Sequence, residues 1–273
     1  MMGSGPDTPS VGDMYDQLTD LLAQALGGNI HLGYWSGDSD ESPVETATDA
    51  LTDLVASRLE PSAGTRLLDV GCGSGKPASR IAALRGAHVT GITVSAHQCA
   101  LARARPHSGA GSGSTTFQLA DAMDMPLPDA SFDGAYAIES VLHMSDKASV
   151  FRQLGRVLRP GARLVVADIY RDDSAGSTNA VPIEGMRELF QVSLATPGDY
   201  HRYLEDAGLR LVEFTDIRDH VRRGYTATVD FFRATAAQLD GEPAVQLAKG
   251  ADVIEQFAAL PQIGYVLLTA ERP

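Results

Sequence analysis

The sequence predicts a single α/β domain, doubly wound around a mostly parallel sheet. Two observations carry that reading. From Arg66 onward, short apolar runs of strand length alternate with segments of helical period, the rhythm of parallel strands joined by crossover helices. The first of these strands also runs directly into Asp69-Val70-Gly71-Cys72-Gly73-Ser74-Gly75. A glycine turn there lets the backbone approach a ligand without Cβ atoms in the way. At 273 residues, 44% of them hydrophobic, the chain is large enough to bury one sizeable core, and it shows no internal repeat.

Residues 1–10 are rich in Gly, Pro and Ser, lack the apolar centre of a signal peptide, and read as a flexible tail before a single domain over 11–273. Val11, Tyr15, Leu18, Leu22 and Ala25 recur at helical spacing until Gly27-Gly28, which ends the helix. An aromatic loop over 29–35 holds the only tryptophan, Trp35. Ser42, Pro43 and Glu45 then read as cap, first and third positions of a second helix. Its apolar face carries Val44, Ala47, Leu51, Leu54, Val55 and Leu59, and together residues 11–60 form N-terminal helices and a lid.

Seven strands follow, over 66–70, 88–92, 116–120, 134–139, 163–168, 210–217 and 264–270. Helices are expected over 77–85 and 95–105, and around Val150, Leu154, Val157 and Leu158, where Arg159-Pro160-Gly161 stops the last. The Gly/Ser-rich stretch 106–114 reads as a mobile loop. After Asp168 the rhythm breaks: residues 171–196 hold a helix around 184–194, Thr196 caps a helix to 206, and 220–260 are mostly helical. These insertions fall at the carboxyl ends of the strands, where ligands bind in such folds.

Charge narrows the substrate. A formal net charge of −13 repels a phosphate backbone, so nucleic acid is an unsuitable substrate and a small molecule the better one. No apolar run reaches the length of roughly twenty residues that spans a bilayer. Cys72 and Cys99 have no metal or disulfide spacing, which fits a reduced, cytoplasmic chain. The oligomeric state stays open, with a homodimer among the options. The glycine loop is itself selective. A P-loop needs Gly at 70 and Ser or Thr at 77, where Val70 and Pro77 stand. A dinucleotide fingerprint needs Gly at 76 and an acid closing the second strand, where Lys76 and Thr93 stand. A purely structural turn remains an alternative.

The segment from Leu67 to Gly75 resembles the first motif of class I S-adenosylmethionine-dependent methyltransferases. Ala120-Asp121-Ala122-Met123, Ser131-Phe132-Asp133 and Leu158-Arg159-Pro160-Gly161-Ala162-Arg163 match the family's later segments in order. With the 29–35 segment the likeness spans nearly the whole chain. It is greatest to small-molecule methyltransferases of bacterial natural-product pathways, including the rebeccamycin-type sugar O-methyltransferases. The resemblance implies a Rossmann-like fold, S-adenosylmethionine as cofactor and S-adenosylhomocysteine as its product. It also implies that Asp69, the backbone of Gly71 and Gly73, and the Glu139 carbonyl hold the methionine ammonium. Asp121 and the Ala122 N–H would read the adenine. Where many relatives grip the ribose with an acid, Thr93 and Gln98 are the substitutes, although Ser95-x-x-Gln98 is also a capping box.

Transfer of a methyl group to a hydroxyl needs in-line positioning and removal of the hydroxyl proton. His143 follows the fourth strand and Asp168 closes the fifth, so neighbouring strands would set a base beside its orienting acid. The resemblance assigns that pair the catalytic role; a structural or capping His143 is the alternative. A magnesium site with Glu139 or Asp172 is a minority option, because hard cations favour oxygen ligands. Tyr15, His31, Tyr34 and Trp35 resemble the family's lid over cofactor and acceptor, against plain packing of Trp35. Phe190, Tyr200, Phe231 and Phe232 could line an acceptor pocket, although aromatics at helical spacing are more often core. The expected activity is an O-methyltransferase on a hydroxyl of a natural product of glycoside, macrolide or polyketide type. N-methylation of a small amine and a cyclase retaining the cofactor are the alternatives, and a nicotinamide dehydrogenase is disfavoured by Lys76 and Thr93.

Overall fold

The structure is a computed structural model that describes residues 10–105, 113–175 and 180–273. The tail read over 1–10 thus lies outside the described residues except for Ser10. Most of the loop over 106–114 lies outside them as well. Ser10 is structured: its side chain accepts from the Asp13 N–H while Asp13 returns a bond to the Ser10 N–H, a complete capping box.

Seven strands form one sheet in the order β3-β2-β1-β4-β5-β7-β6. They are β1 (Arg66–Val70), β2 (His88–Thr93), β3 (Ser114–Leu119), β4 (Phe132–Ile138), β5 (Leu158–Arg171), β6 (Arg210–Asp216) and β7 (Ile263–Glu271). The first five are mutually parallel, and β7 runs antiparallel between β5 and β6, as a mostly parallel doubly wound sheet requires. Side chains on the central strands alternate between two apolar layers. Ala135, Leu164, Val166 and Val266 enter one, whereas Tyr136, Val165, Ala167 and Leu267 enter the other, the two-residue period of a strand buried on both faces.

The helices are α1 (Val11–Ala25), α2 (Val44–Leu59), α3 (Lys76–Arg85), α4 (Ala96–Ala104), α5 (Lys147–Val157), α6 (Val181–Phe190), α7 (Pro197–Asp206), α8 (Arg218–Ala236) and α9 (Glu242–Ala258). Several boundaries differ from expectation. Ser42 does not cap α2; Pro43 takes the cap position without a side-chain bond, and the Ser42 carbonyl accepts from Trp35 Nε1 at 2.9 Å. Arg159-Pro160-Gly161 does stop α5, but β5 already begins at Leu158, paired to Phe132, and continues to Arg171 because β7 pairs with it throughout. Helix α6 starts earlier than read and ends at Phe190, where Gln191 turns left-handed (φ +51°). That early end leaves 191–193 outside any helix or strand.

Strand order reverses between β1 and β4, which lead away on opposite sides. Such a switch point opens a crevice at the carboxyl ends of the strands. The glycine loop follows β1 there. A short 3₁₀ turn (Val141–His143) follows β4.

Candidate active site

The glycine loop is tight because it must be. Gly71 (φ +77°) and Gly73 (φ +51°) are left-handed, a region costly for other residues. A Cβ on Gly71 would lie 2.3 Å from Ser140 Cβ, and one on Gly73 would lie 2.5 Å from Ile30 Cδ1. The Gly71 and Cys72 N–H groups both donate to the Ile92 carbonyl at 2.9 Å, and Ser140 Oγ donates to the Val70 carbonyl at 2.5 Å. The loop, the end of β2 and the turn after β4 are thereby fixed to one another.

A cavity of about 690 Å³ opens over this junction, a volume in the range of small-molecule and cofactor sites. Among residues expected to hold a cofactor, Gly71, Thr93 and Gln98 line it, as do Asp121, Ala122 and Glu139. His143 and Tyr15 line it too. The structure places Asp69, Gly73 and Asp168 behind the wall rather than on it. Asp69 is buried, accepts from the Tyr136 hydroxyl at 3.0 Å, and is pushed up to about 7 by burial, with that bond pulling the other way.

Thr93 and Gln98 are hydrogen-bonded to each other. The Thr93 hydroxyl donates to Gln98 Oε1 at 2.8 Å, and Gln98 Nε2 donates to Thr19 Oγ1 of α1 at 3.1 Å. The capping-box reading is half realised: Ser95 Oγ caps the Gln98 N–H, but the Gln98 side chain turns to Thr93 and Thr19 instead of back to the Ser95 backbone. The carboxylate at this turn comes from α1, where Asp16 accepts from Ser95 Oγ and the His97 N–H. Asp121 Oδ1 accepts from the Met123 N–H at 2.8 Å, bending the turn after β3 so that Ala122 and Met123 face the cavity.

The catalytic pair departs from expectation. His143, half-buried on the cavity wall, shares a 2.6 Å hydrogen bond between Nε2 and the Tyr15 hydroxyl, with the rings edge to face. Asp168 does not bond it. Fully buried, Asp168 accepts from the Leu142 N–H at 3.0 Å and from the Ile169 N–H at 2.8 Å. A buried carboxylate takes the nearest amides, and so Asp168 holds the turn that carries His143 instead of the imidazole. Burial pushes Asp168 up to about 7 and is the main influence on it. His143 is lowered to about 4, chiefly by desolvation inside the protein wall, and further by the Lys147 ammonium. The backbone of Gln191 and Phe190 favours its charged form, yet buried Nδ1 has no well-aligned hydrogen-bond partner. The ring is therefore neutral at neutral pH.

Glu139, whose carbonyl was expected to serve the cofactor, has a left-handed backbone (φ +46°). Its side chain accepts from the Leu32 N–H at 2.7 Å and the Tyr265 hydroxyl at 2.8 Å, and burial raises it to about 8. Non-glycine strain of this kind gathers at functional sites. Glu139 and Asp172, the acids named for a metal, serve separate networks: Asp172 bonds Ser174 and Arg218. Among the described residues, no three His, Cys, Asp or Glu side chains are grouped as metal ligands would be. Among the same residues, no helix is long and apolar enough to cross a membrane.

His31, Tyr34 and Trp35 lie off the cavity wall, which corrects the expected lid. His31 is buried, bonds the Leu32 carbonyl through Nδ1, and is lowered to about 4 mainly by burial. Tyr34 stacks on His220 and Arg223 covers the Trp35 ring, so the aromatic loop fastens the N-terminal segment to α8. Of the proposed lid residues only Tyr15 faces the cavity, beside Ser10, Val11 and Gly12 of the same helix end. Tyr200 and Phe232 are core residues. Helix α6 supplies Arg187, and the segment after it Gln191, Val192 and Ser193, in place of the aromatics. Sequence reasoning missed these four and Ser140; only the strained positions at Glu139 and Gln191 would have signalled the region, and φ is not legible in a sequence.

The cavity fits a nucleoside cofactor with an amino-acid tail. Ile92, Val94 and Met123 offer apolar surface on a wall that also carries the polar Asp121 and the hydroxyl–amide pair of Thr93 and Gln98. Fold and site together define the class I methyltransferases that use S-adenosylmethionine. Residues 68–166 match the model of a methyltransferase domain family. The chain is 44% identical over 268 residues to the O-methyltransferase resE of Aspergillus sclerotiorum, covering 98% of each. It is 38% identical to the 27-O-demethylrifamycin SV methyltransferase of Amycolatopsis mediterranei, over 98% of each chain. Among solved structures it is similar to the cyclase SpnF, with a TM-score of 0.81 and 33% identity over 99% of each chain. The chain belongs to the S-adenosylmethionine-dependent methyltransferase family.

Proposed function

We propose that this enzyme methylates a hydroxyl group of a small natural product, with His143 as the general base. The bound cofactor supplies an electrophilic methyl group on a sulfonium. Asp121, Ala122, Thr93 and Gln98 would hold its nucleoside, and the Gly71 backbone with the Glu139 carbonyl its amino-acid end. The observation that carries the reading is the 2.6 Å contact of His143 Nε2 with a hydroxyl inside the cavity. Burial keeps the imidazole neutral, so Nε2 can accept from a hydroxyl, as the Tyr15 contact illustrates, and an acceptor would take the place of Tyr15 there. An acceptor alcohol or phenol bonded in the same way would lose its proton to Nε2 as the new C–O bond forms. Asp168 holds the His143 turn through the Leu142 amide. The relatives named for O-methylation, one of them on a rifamycin, support a hydroxyl on a bulky natural product.

The test is turnover of a panel of hydroxylated natural products, read by a mass gain of one methylene and by S-adenosylhomocysteine. His143→Ala should lower turnover by roughly a hundred- to ten-thousand-fold with cofactor affinity unchanged. Full turnover in that variant would remove His143 as the base. The 33% identity to SpnF favours one second reading, a cyclase. Rearranged product without stoichiometric S-adenosylhomocysteine would establish that reading instead.

A further inference from the structure

Lys147 breaks two local rules at once. It is a lysine with only 6% of its surface exposed, and it is the first residue of α5, next to the Asp146 cap. Buried ammonium groups lose hydration, and a cation at a helix N-terminus opposes the helix dipole. Departures of this kind, when retained in a fold, are expected at functional sites.

The contacts show what the ammonium does. A lysine has three protons to donate, and Lys147 Nζ has three acceptors: the Met144 carbonyl at 2.8 Å, Ser193 Oγ at 2.9 Å and, more distantly, the Leu142 carbonyl at 3.5 Å. Leu142 and Met144 flank His143 in sequence. The Leu142 carbonyl also accepts from the Ser193 N–H at 2.8 Å, and Ser193 is on the cavity wall. The His143 turn is therefore held from both sides, by Asp168 on its amide face and by Lys147 on its carbonyl face.

We propose that Lys147 is a positioning residue for His143, fixing the turn that presents the imidazole and joining it to the acceptor wall at Ser193. The proposal rests on the reading of His143 as the base. The ammonium disfavours protonation of His143; burial lowers Lys147 itself, and Asp168 and Asp199 oppose that lowering. The other groups facing this region are Tyr15 from α1, Glu139 at the end of β4 and Arg187 from α6. None of these donates to the carbonyls beside His143.

The experiment compares Lys147→Met, Lys147→Arg and Ser193→Ala, with circular dichroism to verify folding. Histidine titration is followed by NMR and kcat and KM are measured separately. Misplacement of a catalytic group by about 1 Å costs on the order of a hundredfold, so Lys147→Met should lose kcat on that scale with cofactor affinity unchanged. Its His143 titration should move to higher pH. Lys147→Arg should restore the titration and part of kcat, and Ser193→Ala should lower kcat less than Lys147→Met while leaving the titration in place. If Lys147→Met lowers kcat but His143 titrates as before, or if kcat stays within twofold, the proposal is overturned. A fully active His143→Ala variant would instead defeat the base reading, and the NMR titration would still report whether Lys147 acts on the imidazole.

Discussion

Replacing Asp69 by Asn should stabilise the cofactor-free protein and do so only above a definite pH. Asp69 is buried, with the Tyr136 hydroxyl as its hydrogen-bond donor, and its carboxyl is raised to about 7 from an ordinary 3.8. Above pH 7 the side chain is ionised in both folded and unfolded states, so the folded state bears the whole desolvation cost. Between pH 7 and 4 the folded carboxyl is protonated while the unfolded one is not, and the cost fades. Below pH 4 both are neutral and the cost is gone. The gap between the two values corresponds to at most about 4 kcal/mol. Asn has the shape of the neutral acid, and its carbonyl still accepts from Tyr136. Asp69→Asn should therefore raise stability by up to that amount at pH 8, roughly 8 °C in melting temperature for a chain of this size, and change little at pH 4. Thermal unfolding at the two pH values, without cofactor, reads this directly. A variant less stable than wild type at pH 8, or an equal difference at both pH values, would refute the reasoning. If Asp69 also serves the methionine ammonium, calorimetry should show S-adenosylmethionine binding at least thirtyfold weaker, the loss expected for a buried charge partner worth about 2 kcal/mol.

Other predictions follow from distances in the site. Gly71→Ala places a Cβ 2.3 Å from Ser140 Cβ on a left-handed backbone. Ser140 is tied to the Val70 carbonyl and cannot easily retreat, so we expect a loss of about 2–3 kcal/mol in chemical denaturation and no measurable cofactor binding; wild-type stability would contradict the geometry. Gln98→Ala removes bonds to both Thr93 and Thr19. At about 1 kcal/mol for such contacts, cofactor affinity should fall several-fold and amide exchange in α1 should quicken, and unchanged exchange would show that Gln98 does not hold the helix.

The sheet was legible because its signals are local and repeated. Short apolar runs, the stop at Arg159-Pro160-Gly161 and the glycine turn after Asp69 each follow from backbone sterics that a residue type reveals. Boundaries slipped where tertiary partners decide them. Strand β5 extends to Arg171 because β7 runs beside it, and Ser42 gives its carbonyl to Trp35 rather than capping α2. In the site, Thr93, Gln98, Asp121 and Glu139 line the cavity because strand ends fix their places, whereas Asp69 lies behind its wall. Side-chain partnerships were less legible. Adjacent strands brought Asp168 near the His143 turn, but which atom it bonds depends on the competition between amides and imidazole for one buried carboxylate. The aromatic loop misled for a related reason: Tyr34 and Trp35 look like lid residues until His220 and Arg223 of α8 are seen to cover them.

Helix α1 covers the cavity with an unusual division of labour. Its first turns are held by polar groups: Tyr15 to His143, Asp16 to Ser95 and His97, Thr19 to Gln98. Its last turns are held by apolar ones, Leu21, Leu22 and Ala25, against the core. Hydrogen bonds traded for water cost little on balance, whereas apolar surface does not part so cheaply. The helix is thus anchored by apolar burial at its carboxyl end and by hydrogen bonds at its amino end, the end that lines the cavity. Any loss of those polar bonds therefore falls on the wall of the cavity first, while the apolar contacts at the far end of the helix stay in the core.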